Sequence, residues 1–137
     1  MAEKVLGPTK ASFRQDIERK FNFLFVQMGF HLAEEFHDPN LVGNVIVVLK
    51  KEDLRLRFIK DRVDFFLDLG LVSVPDKWFG FYEVISWLIR QGMLFEPYKP
   101  INKLHPVSQL MRKHAEEILS AFLRNYDAIS ASVQPTC

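Results

Sequence analysis

The sequence predicts an α+β domain, a mostly antiparallel meander of three to four strands packed against an N-terminal helix and two C-terminal helices. Three observations carry this. Residues Leu54, Leu56 and Phe58 alternate with Arg55, Arg57 and Ile59, and Val63, Phe65, Leu67 and Leu69 alternate with Asp64, Phe66 and Asp68, the period-two pattern of half-buried strands. Val45 to Leu49 is a continuous β-branched run that suits a strand covered on both faces. Before and after this block, apolar residues recur at helical spacing.

The first helix is expected over residues 12–28. Ser12 is its N-cap and Gln15 completes a capping box. Phe13, Ile17, Phe21, Leu24 and Met28 form one stripe. Phe23 to Val26 is apolar nearly all round, which asks for thorough burial, and Gly29 fits the residue just past the helix end. Residues 1–11 read as a loose arm. Phe30 to Phe36 fits a short edge strand, followed by the turn cluster His37-Asp38-Pro39-Asn40. On a regular strand His31, Ala33, Glu35 and His37 share a face, but their outer members are then about 20 Å apart, too far to share one metal ion.

Parity constrains the meander from Asn44 to Gly70. If the apolar residues of all three strands face one core, directly opposed residues have numbers summing to an odd value, and each hairpin loop holds an even number of residues. Pairing Leu49 with Leu54 leaves the polar loop Lys50-Lys51-Glu52-Asp53. The second loop is Lys60-Asp61, which sets Arg57 opposite Asp64, or Asp61-Arg62, which sets Arg55 opposite Asp68. Arg55 and Arg57 then either bind an anion or pair with their own aspartates.

Residues 72–77 read as a loop. The aromatic run Trp78-Phe79-Gly80-Phe81-Tyr82 leads into a second helix, Glu83 to Gln91, closed by Gly92. Its polar residues Glu83, Ser86 and Arg90 occupy one narrow strip, so it is sandwiched inside the domain or covered by a partner. Met93 to His105 is a connection. Pro106 suits the first position of a third helix, residues 107–128, with Arg112–Glu116 and Lys113–Glu117 as i,i+4 pairs and His114 bordering the apolar stripe. Residues 130–137 read as a flexible tail.

A chain of 137 residues with 48% hydrophobic and 26% charged residues is one domain's worth, here residues 1–137. The formal net charge of +1, from 18 basic and 17 acidic residues interspersed along the chain, concentrates no basic surface for nucleic acid. A lone cysteine, Cys137, allows no internal disulfide, and no signal-peptide core or membrane span is legible, so a cytoplasmic location is expected. No nucleotide-binding glycine loop, metal motif or nucleophile elbow occurs, so no catalytic, cofactor-binding or metal-binding residue is assigned.

The spacing from Phe21 to Phe30, the meander with arginine on one strand, and the late helix with His114-Ala115-Glu116-Glu117-Ile118-Leu119 running on to Tyr126 resemble a group of small bacterial α+β proteins. Some of that group resemble immunity proteins, and no functional residue carries over from the resemblance. A sound core without catalytic signatures, together with the surplus aromatics, makes a non-enzymatic, immunity-like protein-binding module the expected function, with a protein partner or a second copy held at Trp78, Phe79, Phe81 and Tyr82. The alternative is a small-ligand-binding protein or enzyme with a pocket between sheet and helices, near His114 or Tyr82.

Overall fold

The computed structural model describes residues 12–37, 44–94 and 97–136. The loose arm 1–11, the Asp38-Pro39 turn and Cys137 lie outside that set. The fold is α+β. Helices α1 (Phe13–Lys20) and α2 (Asn22–Val26) precede strands β1 (His31–His37), β2 (Val45–Lys51), β3 (Leu54–Asp61), β4 (Asp64–Leu71) and β5 (Val74–Gly80), and helices α3 (Phe81–Arg90), α4 (Leu104–Arg124) and α5 (Tyr126–Ser132) follow. The strands form one antiparallel sheet in sequence order, one strand wider than the widest sheet the sequence suggested.

The first helix starts as its sequence dictates, with the Ser12–Gln15 capping box formed in both directions. It does not run unbroken to residue 28. Phe21 leaves helical geometry (φ −114°, ψ 30°), so that α1 ends and the short α2 begins. The break turns Phe21 fully into the core against Phe58 and Phe65, with ring centroids 4.8 and 6.1 Å away. The expected all-round burial fails at Val26, which is largely exposed on the outer side of α2. Gly29 takes the left-handed backbone (φ +81°) that lets the chain reverse into β1.

Parity holds through the meander, but every loop choice shifts. The β2–β3 pairs sum to an odd value, as in Leu49 with Leu56, and so do the β3–β4 pairs, as in Leu56 with Leu69. The loops are two residues each, Glu52-Asp53 and Arg62-Val63, in place of Lys50-Lys51-Glu52-Asp53 and of either Lys60-Asp61 or Asp61-Arg62. Arg57 consequently stands opposite Asp68, and Arg55 opposite Gly70. Glu52 (φ 54°) and Arg62 (φ 60°) hold left-handed backbone at the first turn position, where glycine is the usual occupant. That substitution-tolerant strain left no glycine signal to fix the loops from sequence.

One face of the sheet carries the core. Val47 and Leu49 of β2, Leu54, Leu56 and Phe58 of β3, Phe65, Leu67 and Leu69 of β4, and Phe79 of β5 are buried together with the helices. The second helix is sandwiched: Phe81, Val84, Ile85, Trp87 and Leu88 are buried, while Arg90 donates to Ser86 along the polar strip. The third helix begins earlier than expected, at Leu104, which places Pro106 third in the helix, still within the first turn where its missing N–H costs nothing. It is kinked at His114 (φ −132°, ψ 22°). Arg112 lies over the Phe23 ring and donates to the Lys20 carbonyl, tying α4 to α1 and α2.

The C-terminal segment is not a free tail. Residues 126–132 are helical, Val133 is buried, and Thr136 pairs with Trp78 at the open edge of β5. Among the described residues no helix is long and apolar enough to cross a membrane.

Replacing Arg62 by glycine is expected to raise stability by about 0.5 kcal/mol, because relief of left-handed strain outweighs the added freedom of the unfolded chain. Urea denaturation reads the change as an upward shift of the midpoint, and a downward shift contradicts the turn geometry.

Candidate functional site

The opposite face of the sheet is built in three cross-strand rows. The first is apolar: Phe36 of β1 stands opposite Ile46, Ile46 opposite Ile59, and Ile59 opposite Phe66. None of the four joins the core cluster or packs against it, and Phe36 is 51% exposed. The second row runs Glu34, Val48, Arg57, Asp68, Gly80, and the third runs Lys50, Arg55, Gly70, Trp78. The run Val45 to Leu49 is thus covered by helices on one face only, and Val48 is buried among its sheet neighbours, outside the core.

Trp78 organises the third row. The Arg55 and Arg57 guanidinium carbons lie 3.8 and 4.5 Å from its ring centroid. Gly70 makes room for this. A Cβ there would come within 3.0 Å of the Lys77 carbonyl oxygen and 3.1 Å of Trp78 Cε3. Residues 72–77 are not simply a loop, since β5 starts at Val74. Leu71 pairs with Val74 but Gly70 pairs with Trp78, so Pro75, Asp76 and Lys77 bulge out of the ladder. Arg55 Nη2 donates to the carbonyls of Val74, Pro75 and Lys77 at 3.2, 2.8 and 3.3 Å, satisfying acceptors that the bulge releases. Arg57 donates through Nε and Nη2 to Asp68 Oδ2 at 3.0 and 2.7 Å. Both arginines are therefore committed inside the fold.

Burial holds the Asp68 carboxyl above the ordinary carboxylate range, with the hydrogen bond and charge of Arg57 pulling the other way. Asp68 opens into a notch of about 270 Å³ whose rim includes Glu83, Asn102 and Thr136. Thr136 Oγ1 accepts a long 3.5 Å contact from Arg57, which brings the chain end to this face.

The four aromatic residues expected to meet a partner separate. Phe79 is fully buried on the core face against Phe122 and Tyr126, Phe81 is buried in the core, and Trp78 is buried between its arginines. Their apolar surplus is used by the chain itself. Tyr82 alone stands at the surface. Its ring stacks on Tyr98 with centroids 5.5 Å apart and planes 4° apart, and its hydroxyl donates to the Ile101 carbonyl at 2.7 Å. Tyr82 separates the Asp68 notch from a larger groove of about 470 Å³ against α4. Burial raises its phenol above the ordinary value. His114 is partly buried and shares a 2.8 Å contact through Nδ1 with Glu117.

The histidines of β1 do not line up as parity suggested. A bulge between Leu32 and Glu34 changes the facing of everything after it, so His31 opposite Lys50 and His37 opposite Val45 lie on different faces. His37 and Glu35 instead meet at 3.1 Å, with Arg14 on the other Glu35 oxygen at 3.4 Å. No group of three or more His, Cys, Asp or Glu among the described residues could hold a metal ion.

No family model matches the chain, and no curated protein or solved structure matches it.

Because folding raises the Asp68 carboxyl above its unfolded value, the folded chain holds that proton more tightly. The associated stability is fully present below about pH 4 and is lost as pH rises through the folded value. Denaturation of the native chain and of Asp68→Asn from acid to neutral pH is expected to show the stability difference, native minus variant, falling as pH rises. A difference that grows with pH contradicts burial as the dominant influence on Asp68.

Proposed function

We propose that the chain is a non-enzymatic protein-binding module that uses the uncovered sheet face to dock a second copy of itself. The observation that carries this is the cross-strand row Phe36, Ile46, Ile59 and Phe66, which lies outside the core cluster, with Phe36 51% exposed and the other three half-buried. Rows of large apolar side chains on a sheet face are stabilised when a second surface removes them from water. Charges beside the row are partnered within the fold, Arg57 with Asp68, Lys50 with Glu34 and Arg55 with carbonyls of the β5 bulge, which lowers the cost of covering them. A formal net charge of +1 gives two copies little mutual repulsion.

Area argues for weak association. Strands of about seven residues and four interstrand spacings give a face of roughly 23 by 19 Å. That is below the roughly 800 Å² per partner of a standard stable interface. The face fits a reversible contact with a dissociation constant on the order of 10–100 μM. An immunity-like protein would use the same kind of face on a toxin rather than on itself.

Light scattering on the full chain over a concentration series tests this. A monomer–dimer equilibrium is expected, and Ile59→Lys weakens it at least about tenfold. Leu123→Lys, at an exposed position on α4, leaves it unchanged. A chain that stays monomeric to about 1 mM, or dimers indifferent to Ile59→Lys, overturns the reading.

A further inference from the structure

A separate slot lies between α4 and the turn that joins β2 to β3. Phe30, Leu54 and Leu119, all buried, form its floor, and the half-buried Met28 and the exposed Leu123 stand at its mouth. Its walls come from within residues 28–30, 51–54 and 116–123, and each of these stretches is described without interruption. The volume is about 240 Å³, room for one large side chain and less than a small-molecule site of ordinary size.

The rim of this apolar slot is acidic. Glu52 and Asp53 stand on the turn and Glu116 on α4, so carboxylates flank the slot on two sides, against one ammonium among the described lining residues, that of Lys51. Asp53 accepts from the Ser73 N–H and from the Ser73 hydroxyl at 2.8 Å each, bonds that hold the carboxylate in place and bring no cation to it. Glu52 and Glu116 are exposed and make no side-chain hydrogen bond or ion pair with the described residues. Two carboxylates on opposite sides of an apolar floor are thus left to meet a positive charge from outside the chain.

From this combination we propose that the slot docks a peptide segment of another protein that presents one large apolar side chain between basic residues. The apolar side chain seats on Phe30, Leu54 and Leu119, and the basic residues on either side of it reach Glu52 and Glu116. An anchor filling a pocket carries most of the energy of such a contact, while the rim charges select the sign of the partner and speed its encounter. An acidic segment would set like charges against the rim. Among the described residues no exposed large apolar side chain of this chain stands between two basic neighbours, Val63 for instance lying between Arg62 and Asp64, so the segment belongs to a different protein. The slot shares no residue with the apolar row of the sheet face, and either contact can fail without the other.

The test is an NMR titration of the full chain with the peptide acetyl-Lys-Lys-Phe-Lys-Lys-amide. Two control peptides carry alanine in place of phenylalanine or glutamate in place of every lysine, and phenethylamine serves as a small cation with the same ring. The first peptide is expected to shift the methyl signals of Met28, Leu119 and Leu123 saturably, with a dissociation constant of about 0.1–1 mM that rises with salt. Each control peptide binds at least about tenfold more weakly, lacking the anchor or the matching charge. Glu116→Lys and Glu52→Lys, both at exposed positions, each lower affinity about fivefold. No saturable shift at about 10 mM peptide, equal affinity for either control peptide, or affinity unchanged by both charge reversals overturns the proposal. So does phenethylamine binding as tightly as the peptide, which would make the slot a small-molecule site. Shifts of the same signals with concentration in the chain alone would put a second copy in the slot and overturn it equally.

Discussion

Register between β2, β3 and β4 is the constraint on which the rest of the structure depends. Side chains alternate strictly along a strand, so a slip of one residue would exchange the two faces of the whole sheet. With Leu49 opposite Leu56 and Leu56 opposite Leu69, one face becomes a continuous apolar floor on which the helices close. The break at Phe21 is a consequence of the same floor. A straight helix through residue 28 could not bring that ring so close to Phe58 and Phe65 while also passing the chain to β1. Burial of large aromatic side chains at these contacts outweighs the loss of one or two helical hydrogen bonds.

The same register writes the other face. It sets Arg57 against Asp68 and leaves Arg55 over Gly70, and the missing side chain there admits the Trp78 ring. Each cation–ring contact is worth about 0.5–2 kcal/mol, depending on how dry it is. The Arg55 bonds to three bulge carbonyls add a second role, since acceptors released from a ladder are costly if left bare. Thr136 then pairs with Trp78 from the open side of β5. What this leaves uncovered is the apolar row at the opposite end of the same face.

Much of this was legible in the sequence. The alternation at residues 54–58 and 63–69 made the strands, their parity and an oppositely charged polar face readable, and Ser12 with Gln15 marked a helix start. The loops were not, because Glu52 and Arg62 accept left-handed backbone without the glycine that would announce it. The fifth strand was hidden by Pro75 and a three-residue bulge, which erase alternation. The bulge in β1 likewise defeated a face assignment based on simple parity. The aromatic run misled most. Whether Trp78 is exposed depends on two arginines that reach it from a strand twenty residues away, a spatial fact with no local sequence signature. Gly70 inside a strand was the one available hint of a close approach. The Tyr82–Tyr98 stack joins α3 to the connection before α4, a contact that appears only once the two are packed together.

A sheet with one closed face and one open face makes a sharp energetic demand on two residues of the same strand. Leu56 points into the core and Ile59 into the half-buried apolar row on the other face. Truncation to alanine, measured by equilibrium denaturation, separates them most directly. A loss of about 2–5 kcal/mol is expected for Leu56→Ala and about 1 kcal/mol or less for Ile59→Ala in the dilute chain. Equal losses at the two positions would mean that both faces are core, and would contradict that expectation.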